Sequence, residues 1–298
     1  MAKAPVIAVV GSASMDLTCY ADVLPQAGQT LYGNQFTTGF GGKGANQAVM
    51  AALAGANVYM VGSIGKDLFG KSLEENFKNR KVNSEHIKIS DLPTGVAHIW
   101  VDAQGQNRIL IVPGANHDFN ESHAAQAIAS IPELSIVLGQ CEVPQSVTTA
   151  AFVAAKKRGA ITIFNPAPYQ VLSSDLLSVT DWLIPNEVEF EEFVGAAPTS
   201  ESLSQFRPGK NSIVTLGDKG AVLISEDGAL TSIATTKVQA VDSTGAGDCF
   251  IGSFSFAIAS GLDAKSAAEF ACRIAALSVT RKGAQSSYPT AAEISTLS

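Results

Sequence analysis

Short apolar runs alternate with helix-period segments along most of the chain. Val6–Val10, Val58–Val61, Ser135–Leu138, Ile161–Phe164, Trp182–Ile184 and Ser212–Leu216 each read as a buried strand. Apolar positions at helical spacing fill Ala45–Ala56, Phe69–Lys78, Gln145–Arg158 and Glu187–Val194 between them. Strand and helix in this alternation predict βαβ units, and therefore a mostly parallel sheet with helices on both faces: a three-layer α/β/α sandwich.

Two stretches break the rhythm. His98–Asp102 and Arg108–Val112 flank the turn Ala103–Asn107 and predict a β-hairpin. Leu17–Gly39 carries Thr, Tyr and Phe between Gly and Pro with no helical period. These stretches, about residues 13–40 and 95–115, predict a small β-sheet lid on a single domain spanning residues 1–298, because no linker-like composition sets them apart. The edges of such a lid would be free to pair between protomers, so a homodimer through the lid is expected. Toward the C-terminus, Ala221–Ser225 and Leu230–Ile233 predict an antiparallel pair. Two helices follow, Ala246–Ser260 and Ala264–Thr280, separated by Gly261.

Composition narrows the partners. With 298 residues, 46% apolar and 16% charged, the chain can bury a large core without metal or disulfide staples, and a disordered chain is excluded. A net charge of −7 leaves no basic surface for nucleic acid. The four cysteines, Cys19, Cys141, Cys249 and Cys272, show no CxxC spacing, which predicts a reduced, cytoplasmic protein. Val6–Val10 is too short for a signal-peptide core, and no apolar run reaches membrane-spanning length.

Four groups of residues could carry chemistry. In Thr244-Gly245-Ala246-Gly247-Asp248, glycines at a helix mouth let backbone amides approach an anion, and the helix terminus adds partial positive charge. Asp248 in the first turn would repel that anion unless it takes a proton from an attacking hydroxyl. An ordinary helix start is the plain alternative. Gly39, Gly41 and Gly44 satisfy G-x-G-x-x-G, but the first strand ends about 30 residues upstream, so a nicotinamide-dependent oxidoreductase finds little support. Gly41-Gly42 reads instead as a pivot into a helix, with Lys43 and Asn46 as polar arms or, more plainly, a solvated loop. Asn165–Pro168 and Pro185–Glu189 fall at carboxyl ends of strands, where ligands of open α/β sheets gather. There Asn186 and Glu189 could hold hydrated Mg²⁺, while Glu187, Glu191 and Glu192 read as a solvated face. Asp16 and Glu142, also at strand ends, suit hydroxyl recognition. A catalytically silent sugar or nucleotide sensor remains a third class, though it would not need Asp248.

In this order, Gly11–Asp16, Gly41–Asn46, Asn165–Pro168, Pro185–Glu187, Thr215–Gly217, Asp242–Asp248 and Thr280–Gln285 resemble the motifs of the PfkB-type sugar kinases, in their ribokinase branch. The resemblance spans about Val6 to Pro289. It implies ATP-dependent phosphorylation of the 5-hydroxyl of D-ribose, with fructose, 2-keto-3-deoxygluconate or a nucleoside such as adenosine as alternative acceptors. Asp248 matches the family's base, and Gly245, Ala246 and Gly247 its anion hole. Ser14, Asp16, Gly42, Lys43, Asn46 and Glu142 match sugar-binding positions. Asn186, Thr215, Gly217, Gly220, Gly247 and Cys272 match nucleotide contacts. Glu189 matches a carboxylate acting on Mg²⁺ through water. Asp242, Thr244, Ser278, Arg281, Gly283 and Ser287 match the surroundings of an activating K⁺. Three positions depart from the usual pattern: Ser14 for Asn, Cys272 for His or Asn, and Ser253 for Ala or Gly.

Overall fold

In the computed structural model, which describes residues 3–297, the strands and helices follow the predicted alternation. In chain order they are β1 (Val6–Val10), β2 (Ser14–Tyr20), β3 (Gln35–Gly41), α1 (Lys43–Ala54), β4 (Asn57–Gly65), α2 (Leu68–Asn79), β5 (Val82–Ser90), β6 (Gly95–Val101) and β7 (Asn107–Val112). Next come α3 (Glu121–Ser130), β8 (Leu134–Gln140), α4 (Gln145–Lys157), β9 (Ile161–Asn165), α5 (Ser174–Ser178), β10 (Trp182–Leu183), α6 (Glu187–Val194) and α7 (Ser200–Gln205). The last are β11 (Asn211–Thr215), β12 (Ala221–Ile224), β13 (Leu230–Ile233), α8 (Ala246–Ala259), α9 (Ala264–Ser278) and α10 (Ala291–Ser295).

Nine strands form the main sheet in the order β13-β12-β11-β10-β9-β8-β1-β4-β5, with every pairing parallel except the two made by β12. Side chains of β1 divide between two cores, as strand pleating requires. Ile7 and Val9 pack with Phe77, Phe250, Phe254 and Ile274 from α2, α8 and α9. Val6, Ala8 and Val10 pack with Ile128, Phe152 and Phe190 from α3, α4 and α6. The sandwich is therefore three layers, as the alternation predicts. β2, β3, β6 and β7 form a separate sheet in the order β3-β2-β6-β7. It rises from the carboxyl end of β1 through β2 and returns through Gly41 into α1.

Some boundaries shift. The β-rich stretch read as Leu17–Gly39 resolves into β2 and β3, with residues 21–34 irregular between them. β4 runs to Gly65, past the apolar run that announced it. β5 and α3 carry too many polar residues for the apolar pattern to mark them: Val82-Asn83-Ser84-Glu85-His86 opens one, and Glu121-Ser122-His123 the other.

The chain visits β4 and β5 on one side of β1 and then returns to β8 on the other. That reversal opens a crevice above the carboxyl ends of β1 and β8, where open α/β sheets bind ligands. No helix among the described residues is long and apolar enough to cross a membrane.

Candidate active site

The crevice at the strand reversal gathers most of the residues singled out in the sequence. At its floor, Ser12 Oγ donates to Glu142, joining the loop after β1 to the loop after β8. Glu142 Oε2 also accepts the Lys43 backbone N–H at 2.9 Å, so the first turn of α1 is tied to the same carboxylate. Gly42, the residue before α1, has φ 87°, and a Cβ there would lie 2.8 Å from Ala13 Cα. The chain can turn this closely only as glycine. The Gly41-Gly42 pivot is thus part of the site's wall and not a solvated loop.

Asp248 lies in the first turn of α8, buried, and faces α1. Its Oδ2 accepts from Asn46 Nδ2 at 3.0 Å and its Oδ1 from Gln47 Nε2 at 2.9 Å. Gly245, the residue before α8, has φ 73° and is pinned by Ala284 and by the Tyr288 hydroxyl, which donates to the Gly245 carbonyl. The left-handed turn is held rigidly before the helix mouth. Burial holds the Tyr288 hydroxyl well above its ordinary pKa, with Asp248 and Cys249 adding to the effect.

Asp16 and Lys43 complete the charge balance. Burial, then Glu142, then Asp248 push the Asp16 carboxyl up to about 6. Burial pulls the Lys43 ammonium down, but Asp248, Glu142 and Glu189 together carry it above its ordinary value, so it stays charged. Ser14 is buried opposite Gly41, two residues before Asp16 and on the same face of β2.

Two adjoining cavities continue from this cluster. One of about 210 Å³ is lined by Lys43, Asn165, Asn186, Glu189, Thr215, Ser243, Gly245, Gly247 and Asp248. The second, about 470 Å³, shares Thr215, Ser243 and Gly247 and extends past Gly217, Gly220, Thr235, Ala246 and Cys272. Asn186 and Glu189 form a capping box at the start of α6, each accepting the other's backbone N–H at 2.8 Å. Glu189 is buried, whereas Glu187, Glu191 and Glu192 are exposed, as expected of a solvated face. Burial raises the Glu189 carboxyl, only partly offset by the Asn186 N–H it accepts and then by Lys43. The Cys272 thiol is pushed by burial up to about 11, which makes it a packing group and not a nucleophile. A third hollow of about 520 Å³, lined by Lys3, Val6, Asn57 and Glu133, lies at the amino ends of β1 and β4, away from these groups.

Behind α8, Asp242 accepts from the backbone of Thr244 at 2.9 Å and of Gly283 at 2.8 Å, and these bonds hold its carboxyl below the ordinary range despite burial. Segments 242–244 and 278–287 are thereby placed side by side. Ser278 and Ser287 donate to the Ala275 and Ala284 carbonyls, and Arg281 pairs with Glu293. Any ion held here would meet backbone carbonyls more than these side chains. Sequence patterning placed Asn165 at a strand end where ligands gather, but assigned no role to Ser12, Gln47 or Gln140. The signal that could have found them is polarity in apolar surroundings, such as Gln47 beside Gly44, Ala45, Ala48, Val49 and Met50 in α1.

One expected result follows from the raised Asp16. In the unfolded chain its carboxyl ionises at its ordinary value near 3.8, and in the folded chain only near 6. Between these values the folded form holds more protons, so stability declines as pH rises through the window and the penalty is complete above it. Asp16→Asn should raise the melting temperature at pH 7.5, with the gain shrinking below pH 6 and gone near pH 3.5. Equal gains at both extremes would show that the carboxylate's burial is not the cause.

The chain belongs to the pfkB family of carbohydrate kinases, whose model matches residues 5–291. It is 38% identical to ribokinase of Bacillus subtilis over 292 residues, covering 98% of each chain. It is 36% identical to deoxyribokinase of Salmonella typhi, covering 95% of each. The structure of Arabidopsis thaliana ribokinase complexed with ribose and ATP superposes with a TM-score of 0.91, at 32% identity and over 99% of both chains.

Proposed function

We propose that the chain transfers the γ-phosphoryl group of ATP to the 5-hydroxyl of D-ribose, giving D-ribose 5-phosphate. The observation that carries this reading is the placement of Asp248: a buried carboxylate at a glycine-framed helix mouth, sharing one cavity with Lys43 and Glu189. Asp16, Lys43, Asn46 and Glu142 bind the sugar beside Ser14 and Gly42. Thr215, Gly217, Gly220 and Cys272 border the larger cavity, whose size suits a nucleoside, and Asn186 borders the smaller one beside it.

Asp248 takes the proton of the attacking hydroxyl while the oxygen approaches the γ-phosphorus in line with the departing ADP. The amides of Gly245 and Gly247 face the charge that develops on the phosphoryl oxygens, and the partial positive end of α8 adds to them. The Ala246 N–H between them closes the turn onto the Ser243 carbonyl at 3.1 Å. Lys43 supplies a fixed positive charge on the same cavity wall. Mg²⁺ bound with the nucleotide neutralises phosphate charge. Glu189, a buried carboxylate bordering the cavity, and the oxygens of Asn186 fit a hydrated hard cation. The oxygen-rich segments joined by Asp242 and Gly283 fit an activating K⁺, with Thr244, Ser278, Arg281 and Ser287 contributing through backbone or hydroxyl oxygens.

The small sheet would close over the sugar as a lid on one domain, keeping out water that would compete as an acceptor. Its edge strand β7 leaves Ile109, Leu110, Ile111 and Val112 exposed, which supports pairing of two lids in a homodimer. The free thiols of all four cysteines accord with a reduced, cytoplasmic setting.

The test is ATP consumption with ribose, 2-deoxyribose, fructose and adenosine side by side, with and without Mg²⁺ and K⁺, on a sample whose mass is followed by sedimentation. Ribose should be the best acceptor, Mg²⁺ obligatory, K⁺ activating and the species dimeric. Preference for another alcohol would overturn the sugar assignment, and a monomer at micromolar concentration would overturn the dimer.

A further inference from the structure

Five carboxamides line up on Asp248. From one side, Asn76 Nδ2 on α2 donates to Gln285 Oε1 at 2.9 Å. Gln285 Nε2 donates to Asn46 Oδ1 at 3.0 Å, and Asn46 Nδ2 donates to Asp248 Oδ2 at 3.0 Å. From the other side, Gln140 Nε2 donates to Gln47 Oε1 at 2.7 Å, and Gln47 Nε2 donates to Asp248 Oδ1 at 2.9 Å. The second hydrogen of Gln47 is directed at Asn165 Oδ1, 3.4 Å away.

Each of these amides is buried: Asn46 and Asn76 are 6% exposed, Gln285 4%, and Gln47 and Gln140 0%. A buried amide is costly unless paired, and apolar side chains of the same shape would fill these places more cheaply. Gln140 even leaves its own Oε1 without a partner while its nitrogen serves Gln47. The polarity matters more than the count. An amide that accepts at its oxygen must donate from its nitrogen, so each link orients the next. Both chains therefore end with an N–H aimed at Asp248, and neither can reverse without turning an amide oxygen against its carboxylate.

We infer that Gln285 and Gln47 are positioning residues for the phosphoryl-transfer reaction, acting as the turning points of two amide relays that fix the Asp248 carboxylate from both sides. The inference rests on the reading of Asp248 as the base. Gln285 acts through Asn46, to which it donates. Without it, the Asn46 amide is free to rotate, and Asp248 loses the contact that orients Oδ2. A displacement of an ångström at a base is enough to cost about a hundredfold in rate.

Gln285→Met keeps the length of the side chain and removes both hydrogen bonds. Gln285→Glu can still accept from Asn76 but, ionised, cannot donate to Asn46. Gln47→Met tests the other relay. Each should lower kcat about ten- to a hundredfold, while KM for ATP stays within about twofold of the parent. In an Asp248→Ala background the same substitutions should lower the residual rate no further, because nothing is left to position. A merely structural role predicts the same factor in both backgrounds and a shifted KM for ATP, and that result overturns the proposal. Crystal structures of the variants give a readout independent of turnover: Asn46 should rotate off Asp248 in Gln285→Met. Asn46 and Asp248 left in place would overturn the relay. A parent protein inactive on ribose but active on another alcohol overturns only the sugar assignment, and the cycle is then run on that alcohol.

Discussion

Asp248→Asn is expected to bind ATP and ribose and to turn over at least about 100-fold more slowly than the parent. A general base contributes 10²–10⁴-fold in typical cases, about 3–5 kcal/mol of barrier, and the amide cannot take the hydroxyl proton. A second effect should accompany the first. The Asp248 oxygens accept from Asn46 and from Gln47. An asparagine offers one oxygen, so its own NH₂ must face one of those donors, and about 1–3 kcal/mol of stability is lost with the mispaired group. Titration calorimetry for both ligands, steady-state kinetics and a thermal melt measure all three quantities. Turnover within tenfold of the parent would remove Asp248 from the role of base.

Gly42→Ala should damage both fold and activity. At φ 87° an alanine is strained wherever it sits, and here its Cβ would meet Ala13 Cα at 2.8 Å and the Ser12 carbonyl oxygen at 2.9 Å. Those are backbone atoms, with no side chain to swing aside. The Ser12 carbonyl also accepts the Ala45 N–H, so relief at one point breaks the start of α1. A loss of about 2–4 kcal/mol is expected, or about 3–6 °C in melting temperature for a chain of this size. Activity should fall further than stability, because the Lys43 N–H leaves Glu142 as the turn opens. An unchanged melt would mean that this turn is looser than its dihedral implies.

Much of this arrangement was legible in the amino-acid pattern. The strands buried on both faces, such as Val6–Val10 and Ile161–Asn165, announce themselves as unbroken apolar runs, and α8 and α9 by their period. β5 did not, because its side chains are mostly half-exposed at the edge of the sheet and need not be apolar. In the site, residues at strand ends and helix mouths could be named because backbone geometry demands glycine or an acid there. Gln47, Gln140, Asn76 and Gln285 could not, since an amide's value lies wholly in which neighbour it meets. Asn46 and Gln285 stand 239 residues apart, and Asn76 and Gln285 209. No local pattern encodes such a pairing.

The same separation bears on folding. The bond from Gln285 to Asn46 joins residues 239 apart in the chain, and a contact of that span is gained only after the entropy of closing a long loop has been met. Neighbouring strands such as β4 and β5, linked only by α2, close a far shorter loop. The sheet is therefore expected to form early in refolding, and the amide contacts at Asp248 to lock late.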